Sequence, residues 1–392
     1  MIDLSSDQKF ALGNLLAWFK AEEKQRYITL GGYAGTGKTT LISVLRKKLH
    51  EENKKLRISF CSYTGKAARV LRNKLVESKS VYETDFVGTI HSLIYSPIVD
   101  EKTEEIIGWK RKEEIEADLI IIDEASMVDF EIWNDLLSYG IPIVAVGDHG
   151  QLPPIRGNFN LMEKPHLKLE EIHRQARENP IINLSILARN EGKIPFGVFG
   201  KNIQKISGKD IESQEMVAEL LQNYKNSTLI LCGYNKTRVK LNNFIRGSLN
   251  FESPFPQAND RVICLRNNHI KKIFNGMIGT VQTIETKDEN WYKVRISMDG
   301  EDKNYKGYVF SQQFNQIQGI NFTQDRKLAK QGDLFDFGYA LTVHKAQGSQ
   351  AKRVVLFEER FAKMDDEQWR RWLYTGITRA EEELFIIGQE SF

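Results

Sequence analysis

The sequence GYAGTGKT at residues 32–39 is the strongest structural signal in this chain. It fits the pattern G-x-x-x-x-G-K-[ST], and it lies between a short apolar run at residues 27–30 and a helical pattern at residues 39–49. Glycines let successive backbone N–H groups curl around phosphate oxygens, and the following helix adds the positive end of its dipole. The sequence therefore predicts a phosphate-binding loop between a buried strand and a helix.

The same loop supplies candidate ligands for a nucleotide and its metal ion. Lys38 would reach the β- and γ-phosphates, and the Thr39 hydroxyl would ligate Mg²⁺. The nucleotide-binding candidates in the loop are Gly35, Thr36, Gly37, Lys38, Thr39 and Thr40. We therefore expect ATP and Mg²⁺ as cofactors.

A second apolar run ends in two carboxylates, as a phosphate loop requires. Residues 119–124 read LIIIDE, so Asp123 and Glu124 follow a buried strand directly. Asp123 would hold Mg²⁺, and Glu124 would polarise the attacking water. Such a pair can also be a solvated strand end, but together with the loop it predicts nucleotide hydrolysis.

Composition sets the broad class. The 392 residues are 41% hydrophobic and 27% charged, which favours a folded chain of two or three domains over disorder. Three cysteines argue against a disulfide scaffold, and apolar runs are too short to span a bilayer, so we expect a cytoplasmic protein without membrane contact. The net charge of +3 by itself favours neither nucleic acid nor membrane as a partner.

Apolar runs that alternate with helical patterns predict two α/β domains with parallel sheets. Residues 93–116 interrupt this rhythm with β-forming residues around an acidic centre, which favours a protruding β-hairpin. Short alternating strands with Asn-Gly and Asp-Gly turns favour a small inserted β-barrel further on. The expected division is 1–160 for the first domain, 161–258 and 337–392 for the second, and 259–336 for the barrel.

Seven further segments occur in a characteristic order along the chain. They are SYTGKAAR (62–69), TIHS (89–92), DEAS (123–126), VGDHGQLPP (146–154), LEEIHRQ (169–175), LTVHKAQGS (341–349) and YTGITRA (374–380). In this order they resemble the motifs of superfamily 1 helicases, in the branch that contains RecD and Dda. The resemblance covers most of the chain and is closest to the compact Dda-like layout.

This resemblance implies a fold and further site residues. The fold would be α/β, with two RecA-like P-loop NTPase domains, an inserted β-hairpin that acts as a pin, and an inserted SH3-like β-barrel. Gln151 would link the γ-phosphate to the second domain, and Arg174 and Arg379 would be arginine fingers. Gln8 would read adenine, and Gly348 would join the nucleotide-binding set.

Single-strand binding needs phosphate contacts and stacking. The residues expected to contact DNA are Thr64, Gly65, Lys66, Thr89, His91, Tyr95, Trp109, Thr342 and His344. Alternatives remain open for several of them, since a lone histidine is often structural and the two aromatics can simply pack within the hairpin. Lys345 and Gln347 could bond phosphates or bridge to the nucleotide cleft, and Lys271 lies in a basic loop that is either a DNA contact or solvated.

The resemblance implies an ATP-dependent DNA helicase that moves 5′→3′ on single-stranded DNA and couples hydrolysis in the cleft between its domains to strand separation. The alternative is a single-stranded DNA translocase or protein-displacing ATPase with little unwinding. The expected partners are single-stranded DNA and a DNA fork, with replication or repair proteins as further candidates, and a monomer is expected to suffice. A nucleotide-gated binding module without turnover is disfavoured, because the hydrolytic residues are all present.

Overall fold

The computed structural model describes residues 4–23, 25–99, 106–153, 159–172, 178–266, 268, 271, 273–301, 303–317 and 331–388. The chain divides into two compact units. The first comprises Met1–Glu191, Gln347–Ser349 and Arg370–Thr378, and the second comprises Gly192–Ala346, Gln350–Trp369 and Arg379–Phe392.

The first unit is built on a six-stranded parallel sheet of order β3-β2-β6-β7-β1-β8. Its strands are β1 Tyr27–Gly32, β2 Ile58–Ser62, β3 Phe86–Thr89, β6 Leu119–Asp123, β7 Ile143–Gly147 and β8 Leu167–Leu169. The helices are α1 Ser6–Lys20, α2 Lys38–Glu52, α3 Gly65–Glu77, α4 Ile90–Ile94, α5 Phe130–Leu137 and α6 Pro180–Glu191. A separate antiparallel pair consists of β4 Tyr95–Val99 and β5 Ile106–Arg111.

Both faces of this sheet are buried, which explains why its strands read as continuous apolar runs. In β6, Leu119 and Ile121 pack into a cluster with residues of α1, α2 and α3. The alternate residues, Ile120 and Ile122, pack into a second cluster with residues of α4 and α5. Because the strands are parallel, β1, β6 and β7 all end at one edge, where the phosphate loop and the acidic pair lie.

The second unit contains a six-stranded sheet of order β17-β11-β18-β19-β10-β9, in which only β9 is antiparallel to its neighbour. Its strands are β9 Gly197–Gly200, β10 Ile203–Ser207, β11 Thr228–Cys232, β17 Ala340–Thr342, β18 Ala351–Phe357 and β19 Ala380–Gly388. The helices are α7 Ile211–Gln222, α8 Asn235–Ser248 and α9 Asp366–Ile377, of which α9 belongs to the first unit from Arg370 onward.

An antiparallel sheet of order β15-β14-β13-β12-β16 completes the second unit. It consists of β12 Arg261–Cys264, β13 Ile278–Thr286, β14 Trp291–Met298, β15 Tyr305–Phe310 and β16 Phe335–Phe337. An isolated bridge joins Val309 of β15 to Asp333, just before β16. Residues of both sheets of this unit, such as Ile230 and Val262, share one buried core.

The predicted α/β class with parallel sheets is confirmed. Strands β4 and β5 form an antiparallel hairpin within the predicted interval 93–116, and its turn at 100–105 lies outside the described residues. The predicted boundary at residue 160 differs from the structure: β8 pairs with β1, so the first unit continues to Glu191. The physical reason is that residues 167–169 bury two leucines against the edge of the first sheet.

In the part of the chain that the structure describes, no helix combines the length and the apolar character needed to cross a membrane.

Candidate active site

The phosphate loop connects β1 to α2 in the predicted way. Gly35 and Gly37 have φ angles of +79° and +73°, a left-handed conformation that glycine adopts without steric cost. At Gly32, a Cβ atom would lie only 2.7 Å from the Thr36 hydroxyl oxygen. The glycines at these positions are therefore required by the tight path of the loop.

Lys38 folds back over this loop. Its Nζ donates to the carbonyl oxygens of Gly32 at 2.7 Å and Tyr33 at 3.1 Å. Thr36 is fully buried and its hydroxyl also donates to the Tyr33 carbonyl, at 2.8 Å, whereas Thr39 and Thr40 lie half-buried in the first turn of α2. A lysine held at the mouth of a loop of backbone N–H groups is the arrangement that a nucleotide phosphate requires.

Gln8 of α1 contacts the phosphate loop directly. Its side chain is fully buried: Nε2 donates to the carbonyl oxygens of Thr36 at 3.0 Å and Gly37 at 3.4 Å, and Oε1 accepts from the Ser5 N–H at 3.0 Å. Ser5 and Gln8 form a capping box at the start of α1. The Gln8 amide thus supports the phosphate loop in this structure, and its expected contact with adenine stays a prediction.

Asp123 and Glu124 end β6 beside the loop. The Glu124 N–H donates to Asp123 Oδ1 at 3.0 Å, and Glu124 itself has a left-handed φ of +58°. Burial raises the pKa of Asp123, and the nearby positive charge of Lys38 opposes that rise. A buried carboxylate whose charge is only partly compensated fits a cation site, and a hydroxyl such as that of Thr39 is a suitable companion ligand.

Asp148, which follows β7, organises the next motif. Its Oδ1 accepts from the Gly150 N–H at 2.9 Å, and its Oδ2 accepts from the Tyr374 hydroxyl at 2.7 Å and from Gln151 Nε2 at 3.4 Å. Gln151 is 5% exposed, so the predicted sensor of the γ-phosphate is held inside the first unit.

The end of α9 fixes the segment 148–152 from one side. Arg371 Nη1 donates to the carbonyl oxygens of His149 at 2.8 Å and Gln151 at 3.2 Å. The Leu152 N–H donates to the Thr375 hydroxyl at 3.0 Å, and the Leu152 carbonyl accepts from Gln347 Nε2 at 2.7 Å. Gln347 therefore bonds to the segment that follows Asp148, and both of its predicted roles stay predictions.

Tyr33 in the phosphate loop lies between two side chains that sequence reasoning missed. The His149 ring is 4.1 Å away between centroids, and the Arg189 guanidinium lies 3.5 Å from the Tyr33 ring centre. Burial lowers the pKa of His149 to about 4, so this imidazole is neutral at pH 7. Arg189 in α6 has no motif around it that could have identified it.

Three nucleotide candidates remain: Arg174, Arg379 and Gly348. Arg174 lies outside the described residues, and Arg379 is buried in the second unit at 2% exposure. A Cβ at Gly348 would lie 3.0 Å from Met127 Sδ and 3.6 Å from the Thr64 hydroxyl, and its φ of +71° favours glycine. Its expected place in the nucleotide-binding set stays a prediction.

The predicted DNA contacts of the first unit fall on two helix starts. The Thr64 hydroxyl accepts from the Ala67 N–H at 3.2 Å and caps α3, where Gly65 is half-buried and Lys66 is exposed. Thr89 caps α4 in the same way by accepting from the Ser92 N–H at 3.1 Å.

The aromatic candidates surround the base of the hairpin. His91 is 8% exposed, with the Tyr95 ring 5.6 Å away and the Tyr63 ring 6.1 Å away. The Tyr95 hydroxyl donates to Asp135 of α5, and Trp109 lies opposite Pro97 in the hairpin register. The hydroxyl of Tyr95 is therefore held by α5, and the expected stacking of its ring at the fork stays a prediction.

The candidates of the second unit lie at the carboxyl end of β17. Thr342 ends this strand at 8% exposure, and His344 and Lys345 follow in a 3₁₀ turn, Val343–Ala346. Burial lowers the pKa of both side chains, that of Lys345 to about 8. Lys271 is instead committed to the protein, because its Nζ donates to the buried Asp333 at 2.8 Å.

Comparison with known proteins agrees with this architecture. The model of the AAA domain family matches residues 3–205, and that of the UvrD-like helicase C-terminal domain matches residues 337–387. Among solved structures, Pif1 helicase from Bacteroides in complex with ADP-AlF3 and single-stranded DNA covers all of this chain and 94% of its own, at a TM-score of 0.52 and 18% identity. At that identity the likeness shows the fold alone.

Two curated relatives are similar along almost the whole chain. The ATP-dependent RecD2 DNA helicase of Deinococcus radiodurans is 28% identical over 388 residues, which cover 93% of this chain and 47% of that protein. The chain thus spans about half the length of this relative. The ATP-dependent DNA helicase dda of Enterobacteria phage T4 is 24% identical over 454 residues, at 98% and 99% coverage. With its phosphate loop, acidic strand end and helicase motifs in order, the chain belongs to the AAA domain family, within the RecD/Dda-like branch of superfamily 1 helicases.

Proposed function

We propose that this protein is an ATP-dependent DNA helicase that moves 5′→3′ on single-stranded DNA and couples ATP hydrolysis to strand separation. One observation carries the proposal: Lys38 of the phosphate loop and the pair Asp123–Glu124 lie at the same edge of the first sheet, where the charge of Lys38 acts on Asp123. The helicase names of relatives that match nearly all of the chain support the choice among nucleotide hydrolases.

The residues of the first unit divide the chemistry between them. Loop N–H groups and Lys38 would bind the phosphates, with Gly35, Thr36, Gly37, Thr39 and Thr40 as the surrounding contacts. Thr39 and Asp123 would hold Mg²⁺, since hydroxyl and carboxylate oxygens suit this ion, which supplies positive charge to the β- and γ-phosphates. Glu124 would accept a proton from the attacking water.

Family resemblance assigns further residues to stabilise the negative charge of the phosphoryl group. Gln151 would respond to the γ-phosphate, and Arg174 and Arg379 would stabilise the negative charge that spreads over the transferred phosphoryl group. The burial of Gln151 next to Asp148 supports a fixed position for its amide. Without these groups, hydrolysis would slow while nucleotide binding persisted.

DNA would be held by helix starts and by the turn after β17. The N-terminal turns of α3 and α4 offer backbone N–H groups, with Thr64, Gly65, Lys66, Thr89 and His91 as contacts. Thr342 and His344 would form the contact of the second unit. The hairpin β4–β5 would act as the pin, with Tyr95 and Trp109 as its aromatic candidates, and the five-stranded antiparallel sheet would be the SH3-like barrel.

The alternative function is translocation on single-stranded DNA, or protein displacement, with little unwinding. The hairpin favours true unwinding, because its base is fixed by several contacts. The Tyr139 hydroxyl donates to the carbonyl oxygens of Ile94 at 3.0 Å and Lys112 at 2.8 Å, and Arg111 Nη1 donates to the Ser138 hydroxyl at 2.6 Å. A wedge must be rigid to separate two strands.

ATP hydrolysis with and without single-stranded DNA tests the proposal. We expect the DNA to raise the turnover of the wild-type protein, and Lys38→Ala to abolish turnover in both conditions. Unfolding by heat would be compared to show that the variant keeps its fold. A wild-type rate that does not respond to DNA would overturn both the helicase and the translocase readings.

A further inference from the structure

A tyrosine hydroxyl joins the phosphate loop to the segment that carries Gln151. The Ala34 N–H of the loop donates to Tyr374 Oη at 2.8 Å, and the same hydroxyl donates to Asp148 Oδ2 at 2.7 Å. Asp148 Oδ2 in turn accepts from Gln151 Nε2 at 3.4 Å. All four residues belong to the first unit, although Ala34 and Tyr374 are 340 positions apart in the chain.

The direction of these hydrogen bonds is fixed. Tyr374 is 1% exposed, and burial, followed by the charge of Asp148, raises the pKa of its hydroxyl well above the usual value. The hydroxyl therefore keeps its proton, which goes to the carboxylate, and its oxygen accepts from the Ala34 N–H. A phenylalanine at this position would leave the ring in place and remove both bonds.

The side-chain amide of Gln151 is hydrogen-bonded through only one of its two polar atoms. Its Nε2 contacts Asp148, whereas its Oε1 is buried without a hydrogen-bond partner within the described residues. A buried acceptor without a donor is unfavourable, so this amide gains a hydrogen bond if it turns towards a donor that arrives. The position of Gln151 therefore depends on how firmly Asp148 holds it.

We propose that Tyr374 is a positioning residue that couples phosphate binding at the P-loop to the placement of Gln151. The Ala34 N–H lies in the phosphate loop, one residue before the first expected phosphate contact, Gly35, so a phosphate that enters the loop would compete with the Tyr374 hydroxyl for it. When the phosphate takes this donor, Tyr374 shifts its hydrogen bonding towards Asp148, and the contact between Asp148 and Gln151 changes. The proposal rests on the proposed ATPase function of the same site.

The competing explanation is that Tyr374 only fills space. A Cβ atom placed on Gly150 would lie 3.1 Å from Tyr374 Cε1, and the ring centroids of Tyr374 and Tyr33 are 6.1 Å apart. Tyr374→Phe separates the two explanations, because it keeps the ring. A matched control exists in Tyr339 of the second unit, which is also 1% exposed and donates to a buried carboxylate, Asp260, at 2.8 Å.

The experiment measures kcat and KM for ATP, with and without single-stranded DNA, in the wild type, Tyr374→Phe and Tyr339→Phe. We expect kcat of Tyr374→Phe to fall about tenfold while its KM changes less than about threefold, as for a hydrogen bond that matters after binding. Tyr339→Phe should keep the wild-type kcat. Equal kcat in both variants, or a loss confined to KM, would overturn the proposal.

A double variant tests the route through Gln151. We expect Tyr374→Phe combined with Gln151→Ala to be no slower than Gln151→Ala alone, because both changes break one chain of contacts. Additive losses would contradict the coupling. Should Tyr374→Phe fail to fold, Asp148→Ala removes the acceptor at the other end of the same hydrogen bond and must lower kcat with the same non-additivity towards Gln151→Ala.

The two proposals fail in different ways. If DNA does not change the wild-type kcat, the helicase proposal is wrong. The comparison of kcat without DNA between Tyr374→Phe and Tyr339→Phe still decides the role of Tyr374. If DNA raises the wild-type kcat but Tyr374→Phe and Tyr339→Phe have the same kcat, only the coupling proposal is wrong.

Discussion

Glu124 combines a strained backbone with a candidate catalytic carboxylate. Its φ of +58° is uncommon for a residue with a side chain, and such strain costs on the order of 1–3 kcal/mol. The surrounding structure maintains it, since Glu124 lies between half-buried Asp123 and a 3₁₀ turn, Ala125–Met127. The strained turn directs the chain away from the sheet immediately after the proposed metal ligand.

Replacing Glu124 by glutamine should stop turnover and preserve nucleotide binding. The amide keeps the shape but cannot accept a proton, so kcat should fall by about 10²–10⁴. Steady-state hydrolysis and binding of a fluorescent ATP analogue provide the two measurements. Glu131→Gln on α5, an exposed glutamate, serves as the control. Normal turnover of Glu124→Gln would show that another group activates the water.

We expect Lys345 to make DNA binding depend on pH. Burial lowers its pKa to about 8, so the ammonium is mostly charged below pH 8 and mostly neutral above it. If it contacts a phosphate, affinity for single-stranded DNA should decrease as the pH rises from 7 to 9. Lys345→Arg stays charged across this range and should remove most of the decrease, as followed by fluorescence anisotropy with a labelled oligonucleotide. The same pH slope in both proteins would exclude Lys345 as the contact.

At the scale of elements, a buried ion pair joins α8 to the start of β12. Arg246 and Asp260 form hydrogen bonds at 2.9 and 3.0 Å, with side-chain exposures of 3% and 0%. Arg246 also donates to the carbonyl oxygens of Ser253 and Phe255, so it fixes the connection between the helix and the antiparallel sheet.

Removing Arg246 should destabilise the second unit strongly. Arg246→Ala leaves Asp260 buried without its partner, which costs about 3–5 kcal/mol in the free energy of unfolding. Lys293→Ala breaks an exposed ion pair with Glu285 in the same antiparallel sheet. Its effect on the free energy of unfolding should stay at about 0–1 kcal/mol. Denaturant unfolding of both variants checks the contrast. Similar costs would mean that water reaches Asp260.

The hairpin β4–β5 should serve unwinding and leave hydrolysis unaffected. Its base is bonded to residues around α5, so the protein can lose the outer part without losing the anchor. Replacing residues 98–108 by a short Gly-Ser turn should keep DNA-stimulated ATP hydrolysis and reduce unwinding more than about tenfold. Unwinding of a forked duplex is measured beside hydrolysis on the same preparation. If the shortened variant unwinds DNA at the wild-type rate, the hairpin is not needed for strand separation.

At the scale of the whole molecule, placement of charge matters more than its sum. The net charge is only +3, yet α3 presents Lys66, Arg69, Arg72 and Lys74 on exposed positions. A motor that releases DNA in each cycle does not require a strongly basic surface overall. Electrostatic contacts of this kind weaken with salt, because bound cations return to the DNA.

Polarity is a property of the whole chain and can be measured directly. We expect unwinding of a duplex with a 5′ single-stranded tail and little unwinding of one with a 3′ tail, as family membership implies. Blunt duplex and Lys38→Ala provide the controls for binding-induced melting. Faster unwinding from the 3′ tail would reverse the proposed direction and leave the ATPase assignment intact.

The phosphate loop and the acidic end of β6 could be predicted because their signals are local. Glycines needed for positive φ, a helix that follows at once and an apolar run that ends in carboxylates all fall within a few adjacent residues. The alternation of strands and helices likewise predicted two parallel sheets, since sheets buried on both faces need continuous apolar runs.

Other features depend on contacts between distant segments, and no local pattern encodes them. Tyr374 meets Ala34 from 340 positions away, and β8 extends the first sheet beyond the predicted boundary at residue 160. The Gln8 amide bonds to two loop carbonyls and takes part in a capping box, and its motif predicts neither contact. A side chain's hydrogen-bond partners are chosen by packing, so the sequence specified the chemistry of this site while the folded chain assigned its supporting residues.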